Sequence, residues 1–175
     1  MVSADPFPLS RALLEAVLAD RTSDRFVCLL VWRRLGYAPA GVEAGGADAL
    51  GGDGPIDTPA EAPALPWLAG ATTPPAWAEA FPQAPEVIAE RPASVALTRS
   101  VPAVHKQLLK EWLGFGGYRI GELHPRRTRR ATAVNWLLAH LAERGEPLPE
   151  TGPLPPLLEP PLDPRLGHPG DPPVG

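Results

Sequence analysis

The spacing of apolar residues along the chain predicts a mainly α-helical fold. Between Val134 and Leu141 the leucines and valine fall at positions i, i+3, i+4 and i+7, which lie on one face of an α-helix. Pro125 suits the first position of that helix, and Gly145 suits the position after its end. We therefore predict a last helix from Pro125 to about Arg144, with a core-facing apolar stripe.

Two more helices are predicted near the N-terminus. Ser10 can cap a helix that runs to about Asp20, and one of residues 22–24 can cap a second helix that ends at Gly36. Residues 26–32 are apolar on every side for nearly two turns. Because a helix that is apolar all round is usually buried, this stretch is the predicted centre of the core.

The middle of the chain predicts shorter elements. A helical turn should carry Trp77 and Phe81, and a longer helix should cover residues 102–113. Residues 94–98 alternate weakly between apolar and polar, as a strand does. Pairing with residues 118–123 would make a short β-pair.

The 25 prolines and 17 glycines are concentrated in two stretches. Residues 38–66 lack any periodicity and are predicted to be a disordered insertion, and the Pro-rich residues 145–175 are predicted to be an extended or disordered tail. The expected fold is thus one compact small helical domain, mainly α, with that short β-pair. It is formed by an N-terminal helical pair, 1–37, and by residues 67–144.

The sequence carries no signature of an enzyme, a metal site or a cofactor site. Cys28 is the only cysteine, so no internal disulfide can form. The four histidines show no ligand spacing, and no phosphate-binding loop or nucleophile elbow is present. We therefore expect neither metal nor cofactor, and an enzyme with an unrecognised pocket is the least favoured class. With no long apolar run or signal sequence, we expect a cytoplasmic protein with no membrane partner.

Positive charge is concentrated in one part of the chain. Residues 99–130 contain eight basic and two acidic side chains, although the whole chain has a net charge of −4. Four arginines stand in the first two turns of the predicted last helix, where the helix dipole disfavours cations. An anion bound there would compensate for them.

The helical wheel divides these four arginines into two pairs. Arg127 and Arg130 border the apolar stripe and should lean toward the body of the domain, where ion pairs with Glu111 or Glu122 are available.

Arg126 and Arg129 should instead face outward, on the side that also carries Trp136. This pair is the predicted contact with an external partner. The same basic patch would be extended by Lys106, Lys110, Arg119 and Arg99 if the fold brings them alongside.

Several interpretations of the patch remain open at this point. It could dock an acidic protein surface, which would make the chain a non-catalytic adaptor or assembly factor. It could bind nucleic acid, with Trp136 as a stacking platform. It could also be a solvated or internally paired face, or be screened by the chain's own acidic segments. We favour the acidic protein partner, and the sequence does not indicate an oligomeric state.

Three stretches together resemble a known family. They are LLEAVLADRTSDRFVCLLVWRRLGY, KQLLKEWLGFGGYRIGEL and PRRTRRATAVNWLLAHL. They are similar to a family of small proteins of cyanobacteria and plant plastids that is classed as a domain of unknown function. The resemblance covers residues 9–37 and 75–143. It implies a photosynthetic lineage and a cytoplasmic or stromal location, and it supplies no catalytic residue.

Overall fold

The computed structural model describes residues 7–40 and 66–174 and confirms the mainly α fold. It places these residues in two compact units, which lie within residues 1–30 with 86–175 and within residues 31–85. The helices of the described residues are α1 (Arg11–Leu18), α2 (Asp24–Arg34), α3 (Pro75–Ala80), α4 (Arg91–Ser100), α5 (Leu108–Leu113) and α6 (Pro125–Arg144). The strands are β1 (Ala38–Pro39) and β2 (Trp67–Leu68), and Ala103–His105 and Ile120–Glu122 form short 3₁₀ helices.

The first unit is organised around α6, which contacts α1, α4 and α5. Three members of the predicted stripe, Val134, Leu137 and Leu138, are fully buried. They share the core with buried side chains of α1, among them Leu13 and Leu14. The helix begins at Pro125 and ends at Arg144, as predicted, because its apolar period is unbroken over that length.

The ends of α1 and α2 follow the predicted caps. The Ser10 hydroxyl accepts a hydrogen bond from the amide of Leu13 at 3.1 Å, and the Ser23 hydroxyl accepts one from Phe26 at 3.0 Å. After α1 the chain turns through Asp20, whose φ of 62° lies in the left-handed region. Glycine usually occupies this position, so an aspartate there needs compensating contacts.

The second unit is held by aromatic side chains that bond to the backbone. The Tyr37 hydroxyl donates to the carbonyl oxygen of Phe81 at 2.8 Å, and the indole nitrogen of Trp32 donates to that of Pro85 at 2.7 Å. Trp77 of α3 is buried. The predicted helical turn around Trp77 is therefore confirmed.

Strands β1 and β2 pair in antiparallel register, with Ala38 opposite Leu68. The amide of Ala40 continues the pairing by donating to the carbonyl oxygen of Pro66 at 2.7 Å. These contacts bring together the two ends of the predicted insertion 38–66. Residues 41–65 of that insertion lie outside the described residues.

The predicted β-pair of residues 94–98 and 118–123 is wrong. Residues 94–98 lie in α4, where Ala93 and Leu97 are fully buried one helical turn apart, and residues 120–122 form a 3₁₀ helix. An alternation over five residues is too short to distinguish the two-residue period of a strand from the 3.6-residue period of a helix. The burial of Ala93 and Leu97 on one face agrees with the helical period. The predicted helix over 102–113 is divided into the 3₁₀ helix and α5.

The tail has no helix or strand over residues 146–174, and residues 162–170 of it contain bends and turns. Its backbone carbonyl oxygens at Pro149 and Glu150 accept hydrogen bonds from the amides of Arg11 and Ala12 at 2.8 and 3.1 Å. Those amides belong to the first turn of α1 and have no acceptor within the helix. The tail thus supplies the acceptors that α1 lacks, which its composition did not reveal.

Gly36 should tolerate no side chain. Its φ is +86°, and a Cβ atom built on it would lie 2.8 Å from the amide nitrogen of Thr73. Gly114 provides a matched control, because its φ is +67° and no atom lies within 4 Å of its Cβ position. We expect Gly114→Ala to lower the free energy of unfolding by about 1 kcal/mol. Gly36→Ala should lower the free energy of unfolding by about 1–3 kcal/mol more, because the backbone at Thr73 must also shift. Urea unfolding followed by tryptophan fluorescence measures both, and equal losses would contradict the steric argument.

Candidate functional site

Arg126 lies at the centre of a buried polar cluster in the first unit. Its two terminal nitrogens donate to the two carboxylate oxygens of Asp20 at 2.7 and 2.6 Å, and its Nε donates to Asp24 at 2.8 Å. The Arg126 side chain has no exposed surface. Such a two-point pairing fixes the plane of the guanidinium as well as its position.

Arg130 completes the cluster one turn later on α6. Its Nη1 donates to Asp24 at 2.7 Å, and its Nη2 donates to the Thr22 hydroxyl at 2.8 Å. Nε and Nη2 also donate to the carbonyl oxygen of Val17, at 3.2 and 3.0 Å. Val17 lies in the last turn of α1, where the dipole favours a cation. We call Asp20, Asp24, Arg126 and Arg130 the arginine–aspartate cluster.

The positions of these residues along the chain explain the arrangement. Arg126 and Arg130 are four residues apart and so share one face of α6. Asp20 follows the end of α1, and Asp24 opens α2, where a negative charge is favourable. The anion that four arginines at the start of α6 require therefore comes, for Arg126, Arg127 and Arg130, from within the chain.

Asp20 and Arg126 keep their charges at neutral pH. Burial by itself would raise the pKa of Asp20, but the hydrogen bond from Arg126 and the charges of Arg130, Arg126 and His168 outweigh it, so the pKa lies below its ordinary value. Burial would likewise lower the pKa of Arg126, but its bonds to Asp20 and Asp24 raise it above its ordinary value. Both groups are ionised, and each compensates the other.

The prediction that Arg126 and Arg129 face outward is wrong. Arg126 is fully buried, and Arg129 is 9% exposed and donates to the carbonyl oxygens of Ile88 and Ala89 at 3.0 Å. The helical wheel assumed that α6 has one apolar face, whereas α1, α4 and α5 all pack on this helix. Its first turns consequently have little outward surface.

Arg127 and Arg130 do lean toward the body of the domain, but with other partners than predicted. Arg130 bonds to Asp24, and Arg127 Nε lies 3.3 Å from Asp20. The predicted partners, Glu111 and Glu122, are exposed instead.

Trp136 is not available as a stacking platform. It is 8% exposed, its indole nitrogen donates to the Ser100 hydroxyl at 3.0 Å, and its ring stacks on that of His140 at 5.6 Å. The expectation that Trp136 offers a ring to a partner is therefore wrong. A buried indole that satisfies its N–H within the fold is a core residue.

The other predicted members of the patch are exposed but do not join the cluster. Lys106, Lys110 and Arg119 all lie at the surface. The Lys106 ammonium donates to the carbonyl oxygen of Thr98. These cations remain accessible to a partner, unlike Arg126 and Arg130.

The sequence did not reveal a surface cleft between α4 and the start of α6. None of the described residues that line it is acidic; they are Arg91, Ser94, Val95, Thr98, Leu123, His124, Pro125, Thr128 and Arg129. We call it the α4–α6 cleft. Arg91 brings a second cation from the first turn of α4. Because residues 94–98 read as a strand, nothing in the sequence placed this arginine beside Arg129.

A glycine-rich loop, residues 114–123, leads to this cleft and is anchored by Tyr118. The Tyr118 hydroxyl donates to the carbonyl oxygen of Leu18 at 3.0 Å, and its ring meets that of Phe115 edge-on at 5.1 Å. Beyond the anchor, Ile120 is 95% exposed and Leu123 is 58% exposed. The loop therefore presents two apolar side chains to solvent next to the cleft.

The described residues contain neither a metal-holding group of side chains nor a membrane-spanning helix. Residues 7–40 and 66–174 contain no group of three or more histidine, cysteine, aspartate or glutamate side chains arranged to hold a metal ion. Within the same ranges, no helix is both long and apolar enough to cross a membrane.

Removing Arg126 should destabilise the protein strongly. In an Arg126→Met variant, Asp20 and Asp24 would remain buried with less positive charge to pair with, and we expect the free energy of unfolding to fall by about 3–5 kcal/mol. The exposed Arg119 is the matched control, and Arg119→Met should change the free energy of unfolding by less than ~0.5 kcal/mol. Chemical unfolding measures both. A small loss in Arg126→Met would show that the cluster is not a major support of the fold.

The pH dependence of stability should report on Asp20. Because the pKa of Asp20 is lowered in the folded state, its charge stabilises the fold above the ordinary value of 3.8, and this contribution is lost as the pH falls through the folded-state pKa. The wild type should therefore exceed Asp20→Asn in free energy of unfolding by a constant amount near neutral pH, and the difference should shrink below about pH 4. Asparagine also tolerates the left-handed backbone, which makes the variant a fair comparison. A difference that does not change with pH would contradict the assignment.

Comparison with known proteins agrees with the resemblance noted in the sequence. Residues 8–142 match the model of a family described as Domain of unknown function (DUF1823). A protein structure solved by NMR in solution is 40% identical to this chain, with a TM-score of 0.56, and the match covers 83% of this chain and 98% of the other. No curated protein matches the sequence. The cyanobacterial and plastid range of the family stays a prediction. Since the family model covers most of its length, the chain belongs to the family described as Domain of unknown function (DUF1823).

Proposed function

We propose that the chain is a non-catalytic binding domain, an adaptor or assembly factor, that docks an acidic segment of a partner protein at the α4–α6 cleft. A cytoplasmic setting is part of the same proposal. The observation that carries it is the lining of the cleft, in which Arg91 and Arg129 stand together and, within residues 7–40 and 66–174, no acidic side chain is found. Such a lining favours an anionic ligand over a cationic or neutral one.

The two arginines of the cleft play different parts. Arg129 is nearly buried, and its hydrogen bonds to the carbonyl oxygens of Ile88 and Ala89 hold its guanidinium in place. Burial, and then the charge of Arg91, lowers the pKa of Arg129 from its ordinary value. A carboxylate placed between the two guanidiniums would relieve that repulsion. Arg91 is exposed and can close on such a ligand.

The apolar residues beside the cleft favour a protein partner. Leu123 lines the cleft, and Ile120 lies three residues earlier on the anchored loop. Protein interfaces commonly combine an apolar centre with cationic residues at the rim, and the exposed Arg119 stands next to Ile120. The expected partner segment thus carries acidic and apolar side chains together.

The basic start of α6 remains part of the docking site, but Arg129 and not Arg126 contacts the partner. Pro125 and Arg129 line the cleft, whereas Arg126 is fully occupied by Asp20 and Asp24. The partner contacts α6 through Arg129 and reaches across to α4.

Nucleic-acid binding is the alternative, because phosphates would suit the same cations. It draws less support from the geometry, since Trp136 is buried and bonded to Ser100. The two alternatives differ in their response to salt. Binding through many phosphates weakens steeply with salt, while a protein contact with an apolar centre weakens less.

The proposal is tested with two substitutions and a matched control for each. Arg91→Glu reverses a cleft charge, and Arg99→Glu reverses an exposed charge on the same helix outside the cleft lining. Ile120→Ser removes the exposed side chain beside the cleft, and Leu162→Ser removes one that is also fully exposed, in the tail. None of these side chains is buried, so all four variants should fold.

Partners retained by the wild type from nuclease-treated lysate are identified, purified and titrated against each variant by calorimetry. We expect Arg91→Glu and Ile120→Ser each to weaken binding about tenfold or more, as loss of a hot-spot residue does, and the controls to bind as the wild type does. Equal affinities for all variants would refute the cleft as the docking site. If material is retained only from untreated lysate and is lost after nuclease treatment, with a steep dependence on salt, the result would favour nucleic-acid binding.

A further inference from the structure

A segment of the tail is seated on the junction between α1 and α2. The carboxylate of Asp171 accepts hydrogen bonds from the amides of Asp24 and Arg25, at 2.9 and 3.2 Å. These amides belong to the first turn of α2 and have no acceptor within the helix. Asp171 lies well beyond residue 142, where the match to the family model ends, so a side chain from outside the family's domain completes a helix inside it.

His168 makes a second set of contacts at the same junction. It is 5% exposed, and its Nε2 lies 3.0 Å from the carbonyl oxygen of Asp20 and 3.2 Å from the Asp20 carboxylate. Asp20 is the residue in the left-handed conformation and the two-point partner of Arg126. The tail therefore reaches the arginine–aspartate cluster itself.

The tail segment is shaped for these contacts by its own sequence, Gly-His-Pro-Gly-Asp at 167–171. The Asp171 carboxylate also accepts from the amide of His168 at 2.9 Å, and the amide of Asp171 donates back to the carbonyl oxygen of His168 at 3.0 Å. Gly170 has a φ of +91°, and a Cβ atom on Gly167 would lie 2.7 Å from the Cβ of Asp171. This is a closed turn that presents an imidazole and a carboxylate on one side.

Few apolar contacts hold the segment in place. Leu162 and Leu166, which precede the turn, are 105% and 63% exposed. The attachment thus rests on a handful of polar contacts, and elements held in this way open at low free-energy cost.

We propose that the α1–α2 junction is a peptide-recognition site for a turn in which histidine is followed three residues later by aspartate, and that residues 167–171 are its tethered, releasable ligand. The site consists of the amides of Asp24 and Arg25, which receive the carboxylate, and of the oxygens of Asp20, which receive the imidazole. Tethering gives the chain's own turn an effective concentration on the order of millimolar, so a free peptide competes only when the tether is weakened.

The test uses the full chain. A His168→Ala, Asp171→Ala double variant should release the turn, and the amides of Asp24 and Arg25 should then exchange with solvent at least tenfold faster than in the wild type. A synthetic peptide of residues 161–174 should bind the double variant and restore slow exchange at both amides, and it should not bind the wild type. NMR-detected hydrogen exchange and calorimetry provide the two readouts.

Two controls make the result specific. Asp163→Ala removes an aspartate of the tail that pairs with the exposed Arg165, and it should leave both amides protected. The same peptide with alanine in place of its His168 and Asp171 should not bind. Asp171→Asn keeps the shape of the side chain and should accelerate exchange at both amides in a folded protein.

Three results would overturn the proposal. The first is equal exchange of both amides in the wild type, the double variant and Asp171→Asn. The second is a released turn with no binding of the added peptide. The third is global unfolding of the double variant, which would make the segment part of the folding core and not a ligand.

Discussion

The pairing of Arg126 with Asp20 and Asp24 is the interaction on which the rest of the first unit depends. One guanidinium joins the start of α6 to the turn after α1 and the start of α2, both of which lie more than a hundred residues earlier in the sequence. A buried ion pair contributes little stability compared with apolar packing of the same volume, because desolvation offsets much of the attraction. Its contribution here is to fix the positions of the backbone and side chains that it joins. Asp20 is held in a backbone conformation that it would otherwise avoid, and Arg130 then finds the carbonyl oxygen of Val17 in reach.

Local features of the sequence were sufficient to predict α1, α2, α3 and α6. α6 was correct at both ends because an unbroken apolar period was flanked by Pro125 and Gly145, and α1 was predicted from Ser10 and its apolar face. α4 was missed because residues 94–98 are too few to separate a period of two from one of 3.6. The accuracy of each helix prediction thus depended on how many helical turns the apolar pattern covered.

The candidate site could be predicted only in part, because its contacts connect distant residues. The cluster of arginines was visible in the sequence, and so was the need for an anion beside it. That Asp20 and Asp24 supply the anion was not visible, since nothing local links residue 20 to residue 126. A charge map of the sequence therefore overstates the positive surface, because three of the four arginines at the start of α6 are paired with Asp20 and Asp24 inside the fold. Of the cations that remain accessible, Arg119 belongs to the predicted basic patch, whereas Arg91 lies outside it.

The pairing of β1 with β2 joins two positions that are distant in sequence, Ala38 and Leu68. Ala40 and Pro66 are joined by a hydrogen bond of 2.7 Å, so the two ends of the intervening residues stay together whatever lies between them. The entropy lost on closing a loop grows only with the logarithm of its length, and each doubling costs about 0.6 kcal/mol. A change in the length of the chain between these strands thus costs little in loop-closure entropy. In evolutionary terms, this entropy sets only a weak limit on how long that part of the chain can become.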